Sequence, residues 1–104
     1  MKSRVKSAMP AKLSGLLAKV GRDISVARKE RGLAAADVVE AAGISLSTLG
    51  RLERGDPSVS LGAFSMVLLA LGHHSRLSKL IDVASEEADL PRRVPRRKAE
   101  GLSF

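Results

Sequence analysis

Gly32, Gly43 and Gly55 bracket GLAAADVVEAAGISLSTLGRLERG into two runs, each too short for more than about three helical turns. Within them the large apolar residues recur at helical steps: Val38, Val39 and Ala42 in the first run, Leu49 and Leu52 in the second. The pattern predicts two short helices joined at Gly43, which can take the positive φ of a tight interhelical turn. Such short helices must sink their apolar sides into a shared core. Here that core has only two phenylalanines and no tryptophan or tyrosine to work with. It must be built from Leu, Val, Ile and Ala, which favours small helices packed closely.

The flanking sequence extends the same reading. Leu13, Leu16, Leu17, Val20, Ile24 and Ala27 mark an amphipathic helix reaching to about Arg31, with Lys29 and Arg31 suited to its C-terminal end and Gly32 as its stop. The second helix opens over Leu33–Ala36. Ala34 stands where a Ser or Thr cap is expected, an omission worth about 1 kcal/mol, and Asp37 sits in the favourable first turn. Ser45 caps a third helix, and Ser60 caps a fourth carrying Leu61, Phe64, Val67, Leu68 and Leu71 and ending at Gly72. A fifth helix is expected from Ser75 or Arg76 to about Ala84, using Leu77, Leu80 and Ile81. Phe64 and Met66 are expected as core or dimer contacts. No repeat and no strand pattern stands out, apart from a possible short extended piece near Val94. The chain therefore divides into a basic flexible arm (1–12), an all-α domain (13–87) and a basic Pro/Arg-rich tail (88–104).

Charge placement narrows the partners. The net charge is +7, yet residues 13–90 hold nine bases and ten acids. The excess sits in two arms: Lys2, Arg4, Lys6 and Lys12 with no acid, and Arg92, Arg93, Arg96, Arg97 and Lys98 against Glu100. Basic arms attract polyanions by counterion release, independently of sequence. The absence of cysteine excludes disulfides, thiolate metal sites and a cysteine nucleophile. His73 and His74 are adjacent, so on a helix they diverge and suit a helix end better than a metal. No nucleophile–base–orienter set and no phosphate-cradling glycine loop can be named, so neither catalysis nor a cofactor is expected. Nor is a small-molecule ligand. Lys12 and Lys19 interrupt any signal-like apolar run, and Ala63–Leu71 is far shorter than the ~20 residues of a membrane span.

The third helix is the candidate site. With Leu49 and Leu52 turned inward, Ser47, Thr48 and Arg51 fall outward and Leu46 lies at the exposed N-terminal end. Small residues at the front permit close approach to a duplex, and a major groove admits one helix. Arg51 is long enough to bind guanine O6 and N7, and Leu46 can pack on a thymine methyl.

In these residues the segment Leu16–Gly72 resembles the Xre/Cro-type helix-turn-helix domain of bacterial and phage repressors. The resemblance lies in ARKERGL (27–33), DVVEAAGIS (37–45), STLGRLERG (47–55) and the SL…LLALG pattern of 60–72. It implies a five-helix, lambda-repressor-like fold and a homodimer on operator DNA. Ser45, Leu46, Ser47, Thr48, Arg51 and Arg54 would contact bases or phosphates, and an Arg28–Glu53 charge pair would tie the first helix to the end of the third. Three positions depart from the family's pattern: Ala34 and Ala35 replace a Thr-Gln pair whose Gln grips phosphate, and Gly50 replaces a polar residue. The run RLERGDPSVSLGAFSMVLLALG and the tail LPRRVPRR further resemble HipB-type antitoxins, which bind a HipA-type kinase toxin and repress their own operon. That likeness implies a cytoplasmic, nucleoid-associated bacterial repressor. The alternative is a protein-interaction module that keeps the fold with weak or no operator specificity.

Overall fold

The structure is a computed structural model that describes residues 8–81. Four α-helices follow in order: α1 (Ala11–Glu30), α2 (Ala35–Ala42), α3 (Leu46–Glu53) and α4 (Leu61–Ala70). A 3₁₀ helix (His74–Lys79) closes the series. No strand occurs among the described residues. Residues 1–7 of the N-terminal arm, the region near Val94 and the expected limit at 87/88 lie outside the described residues, whereas the expected limit at 12/13 falls within α1. α1 itself begins at Ala11, where the Pro10 carbonyl accepts the Ser14 N–H.

The core forms where α2 packs on α3 and α4, with α1 laid across α3. Ile24, Val38, Ala42, Leu49, Leu52, Val67 and Leu71 are buried together, and Leu33, Val39, Ile44 and Phe64 pack at their edge. The inward residues expected of α2 and α3 are therefore in place. Gly43 has φ +68°, and its N–H and that of Ile44 both bond the Val39 carbonyl, which closes α2 and turns the chain into α3. Ser65, the one hydroxyl in the apolar run of α4, is satisfied within its own helix by donating to the Leu61 carbonyl at 2.8 Å.

Several expectations change. The N-terminal half of the α1 stripe is not core: Leu13, Leu16 and Val20 are exposed, because α1 runs past the elements that could cover it. Leu61, at the start of α4, is exposed, and so is Met66, which is therefore not a core residue. The fifth helix starts at His74 and is 3₁₀. Ser78 donates to the Ser75 carbonyl at 2.8 Å, the local bonding by which serine competes with an α ladder. Leu77 is half-buried there, whereas Leu80 and Ile81 face out; the expected end at Ala84 lies outside the described residues. His73 and His74 do sit at a helix start, with His73 Nδ1 accepting from Arg76 Nε at 3.2 Å.

One contact fixes the layout. A Cβ on Gly21 would lie 2.5 Å from the Glu53 carbonyl oxygen, and one on Gly55 would lie 2.6 Å from Ala18 Cα. The two glycines let α1 and the end of α3 meet backbone to backbone. Gly50 is different: a Cβ there meets only the Arg54 guanidinium, at 3.4 Å. Gly21→Ala should therefore destabilise the fold by about 1–3 kcal/mol despite alanine's better helix propensity. Gly50→Ala should stabilise it by about 0.5–1 kcal/mol. Urea unfolding midpoints that move in opposite directions will show this.

Candidate functional site

α3 is eight residues long and includes Ser47, Thr48 and Gly50, a composition that does not hold a helix by itself in water. Three devices hold it. Ser45 Oγ accepts the Thr48 N–H at 3.0 Å and closes the N-terminus. Leu49 and Leu52 bury its inner side almost completely. Its C-terminus is clamped by Arg28, whose Nε and Nη2 donate to the two Glu53 carboxylate oxygens at 2.8 and 3.3 Å. The same guanidinium donates from Nη1 to the Leu33 carbonyl at 3.0 Å. One side chain thus joins α1, the α1–α2 turn and the end of α3. Both partners are largely buried, with side-chain exposures of 13% and 17%.

The hydrogen bonds that Arg28 donates to Glu53 lift its pKa above the ordinary value; burial opposes this and charge attraction adds to it. A raised pKa stabilises the fold fully below the ordinary arginine range, and that contribution is lost only as pH rises beyond it. The Arg28 side of the clamp therefore keeps its charge at every working pH.

On the outer side a polar chain runs from cap to turn. The Ser45 and Thr48 hydroxyls are 2.9 Å apart. Arg51 Nη2 approaches Thr48 Oγ1 at 3.4 Å, and Arg51 Nη1 approaches Ser58 Oγ at 3.5 Å. Ser58 in turn donates from its hydroxyl and its backbone N–H to Asp56 Oδ1, at 2.7 and 2.8 Å. Asp56 therefore organises the turn after α3, and Arg51 leans on that turn through contacts long enough to be given up cheaply.

The structure brings the expected site residues to one helix. Ser45, Leu46, Ser47 and Arg54 are exposed, and Thr48 and Arg51 are half-buried at the same surface. Leu46 and Ser47 lead the N-terminal turn. Arg54 lies back along α3 toward Gly50, where no side chain stands in its way. Lys2, Arg4, Lys6, Arg92, Arg93, Arg96, Arg97 and Lys98 lie outside the described residues. Among the described residues no group of three or more metal-ligating side chains comes together, and no helix is long and apolar enough to cross a membrane.

Sequence reasoning passed over several contributors. Ser58 belongs to the site because it touches Arg51, a contact seven residues away that no periodicity signals. Gly21 was legible only as a helix-interior glycine, which costs about 1 kcal/mol and so implies a close approach. The uncapped start of α2 is also repaired from inside: Asp37 Oδ2 accepts the Ala34 N–H at 2.7 Å. That is half of a capping box, since Ala34 has no oxygen to return the bond.

Residues 24–74 match the family model described as helix-turn-helix. The matched segment starts inside α1 and ends on the first residue of the 3₁₀ helix, so it contains both halves of the Arg28–Glu53 clamp and the whole of α3. No curated protein and no solved structure matches the chain.

Arg28→Ala should cost about 3 kcal/mol, because it strands a largely buried carboxylate and a carbonyl. Arg28→Lys should recover less than half, since an ammonium cannot make the two-pronged contact. Thermal or urea denaturation of the three proteins measures both.

Proposed function

We propose that this chain, whose residues 24–74 match the helix-turn-helix family model, is a DNA-binding repressor of the Xre-like kind that lays α3 into the major groove of operator DNA as a homodimer. One observation carries the reading. A helix too weak to stand alone is clamped by Arg28–Glu53 and capped by Ser45, while Leu46, Ser47, Thr48, Arg51 and Arg54 are left at the surface. Residues that served packing alone would not need so much outward-facing polar capacity at the N-terminal end.

In this reading the parts divide between positioning and reading. Arg51 swings from its long contacts with Thr48 and Ser58 onto guanine O6 and N7. Leu46 meets a thymine methyl, and Ser47 with its small side chain lets the backbone come close. Arg54 and the two basic arms take phosphates, adding affinity with little sequence information. Two copies are required because one eight-residue helix with one bidentate reader specifies few base pairs, and half-sites about one helical turn apart match a two-fold dimer.

A finer proposal is that the repressor is the antitoxin of a HipA-like kinase toxin, acting on its own operon in a bacterial cytoplasm. Its support is the ERGDPSVSLG turn and the LPRRVPRR tail of the sequence. A kinase-like toxin gene beside this one, and a complex between the two products, are the expected findings. The rival reading, an interaction module with little operator specificity, draws on Ala35 and Gly50, which stand where the family pattern has polar residues, and on the acidic turn at Asp56. Footprinting on the upstream region separates the two.

Arg51→Ala should weaken operator binding by about 1–3 kcal/mol while random-sequence binding changes little. A gel-shift titration in which operator and random DNA are discriminated as well as before would refute the role given to Arg51. Deleting residues 91–104 should flatten the slope of log K against log salt, by about 0.9 for every phosphate that the tail neutralises. Equal slopes would remove the tail from the interface.

A further inference from the structure

α1 extends beyond what the bundle covers. Its C-terminal half is sealed by the buried Gly21 and Ile24. Its N-terminal half carries Leu13, Leu16, Leu17 and Val20 at steps of three and four, and only Leu17 is half-buried; Leu16 is 54% exposed. The stripe opens sideways into a groove of about 410 Å³, where Leu17 and Val20 face Leu61, Phe64 and Leu80. Leu61 is 70% exposed and Ile81 74%. A continuous apolar face of this extent marks an interaction site.

We infer that this face is the seam between two copies of the chain, α1 lying antiparallel to the partner's α1. The flanking sequence is strongly charged: DVASEEADL after Ile81 has four acids, and the seven residues before Ala8 have three bases. A second copy brings the same row of leucines. Charge agrees with self-pairing. Lys12, Lys19 and Asp23 lie along one edge of the stripe at helical spacing, and Lys19 and Asp23 form an exposed pair at 2.7 Å. Run antiparallel, Lys12 of each copy faces the partner's Asp23, so two basic chains meet without like charges opposed.

The seam also explains how a dimer sets its two readers. Leu52, Gly55 and Pro57, at the end of α3 and in the turn after it, line the same groove. The two copies therefore join beside the C-terminal ends of their α3 helices and leave Leu46 and Ser47, at the opposite ends, free. This deepens the two-helix reading above and rests on it for its DNA consequence; the seam itself is tested without DNA.

Sedimentation equilibrium of the full chain at micromolar concentration should show a dimer. Leu16→Glu and Leu61→Glu should be monomers with the parent circular dichroism. Val26→Glu, an equally exposed change on α1 but off the stripe, should remain a dimer. Because the chain has no cysteine, Leu16→Cys should be linked into a dimer by a short bismaleimide. A monomeric parent, or a dimer that both glutamate variants leave intact, overturns the seam. If those variants fail to fold, a dimer that the Leu16→Cys cross-linker does not join overturns it equally. A dimer through this face with no operator preference would sink the DNA reading alone. Operator discrimination by a chain that stays monomeric would sink the seam alone.

Discussion

The approach of α1 to the end of α3 is the constraint from which the rest of the molecule takes its geometry. With no Cβ on Gly21 or Gly55, the two backbones come closer than side chains allow, and the left-handed φ of +80° at Gly55 turns the chain away at once. At that distance Arg28 can reach both Glu53 oxygens and the Leu33 carbonyl together. Steric permission and charge pairing therefore act on the same end of the same helix. Neither would fix it alone: glycines permit contact without enforcing it, and an ion pair with freedom to slide would not set an angle.

This arrangement separates stability from the recognition proposed for α3. The inner side of α3 is occupied by Leu49 and Leu52, and its C-terminus by Glu53. What remains outward carries almost none of the folding energy, so it can be polar and even contain a glycine. Asp56, an acid close to a surface proposed to meet phosphate, fits the same division. Its carboxylate is spent on Ser58, which props Arg51, so the acid serves to orient the neighbouring base.

Much of this was legible in the sequence because it is local. The positive-φ turn at Gly43, the caps at Ser45 and Ser60, the inward Leu49 and Leu52, and the outward Leu46 and Ser47 all follow from spacing within a few residues. The Arg28–Glu53 clamp spans 25 positions and came from family resemblance, not from periodicity. What stayed hidden was tertiary. Periodicity marks Leu13, Leu16 and Val20 as one stripe but cannot say that no element lies over it. Leu80 and Ile81 continue an apolar spacing, yet the chain enters a 3₁₀ turn first, in which the Ser78 hydroxyl bonds the Ser75 carbonyl. Gly21 looks like a defect until the Glu53 carbonyl is seen beside it.

In the proposed complex the polar chain on α3 governs how its residues meet DNA. Ser45 already gives its oxygen to the Thr48 N–H at 3.0 Å, and any phosphate that drew it away would open the first turn of a helix with little propensity of its own. Its hydroxyl is thus a cap first, able to donate outward but not to leave. Arg51 is in the opposite position. Its contacts at 3.4 and 3.5 Å are near the limit of hydrogen bonding, so releasing them costs little, yet they restrict a long side chain to one side of the helix before binding. Partial pre-ordering of this kind lowers the entropy lost when the guanidinium finds a base edge. Of the residues on α3, Arg51 therefore has the most to gain from a partner and the least to lose in leaving its place.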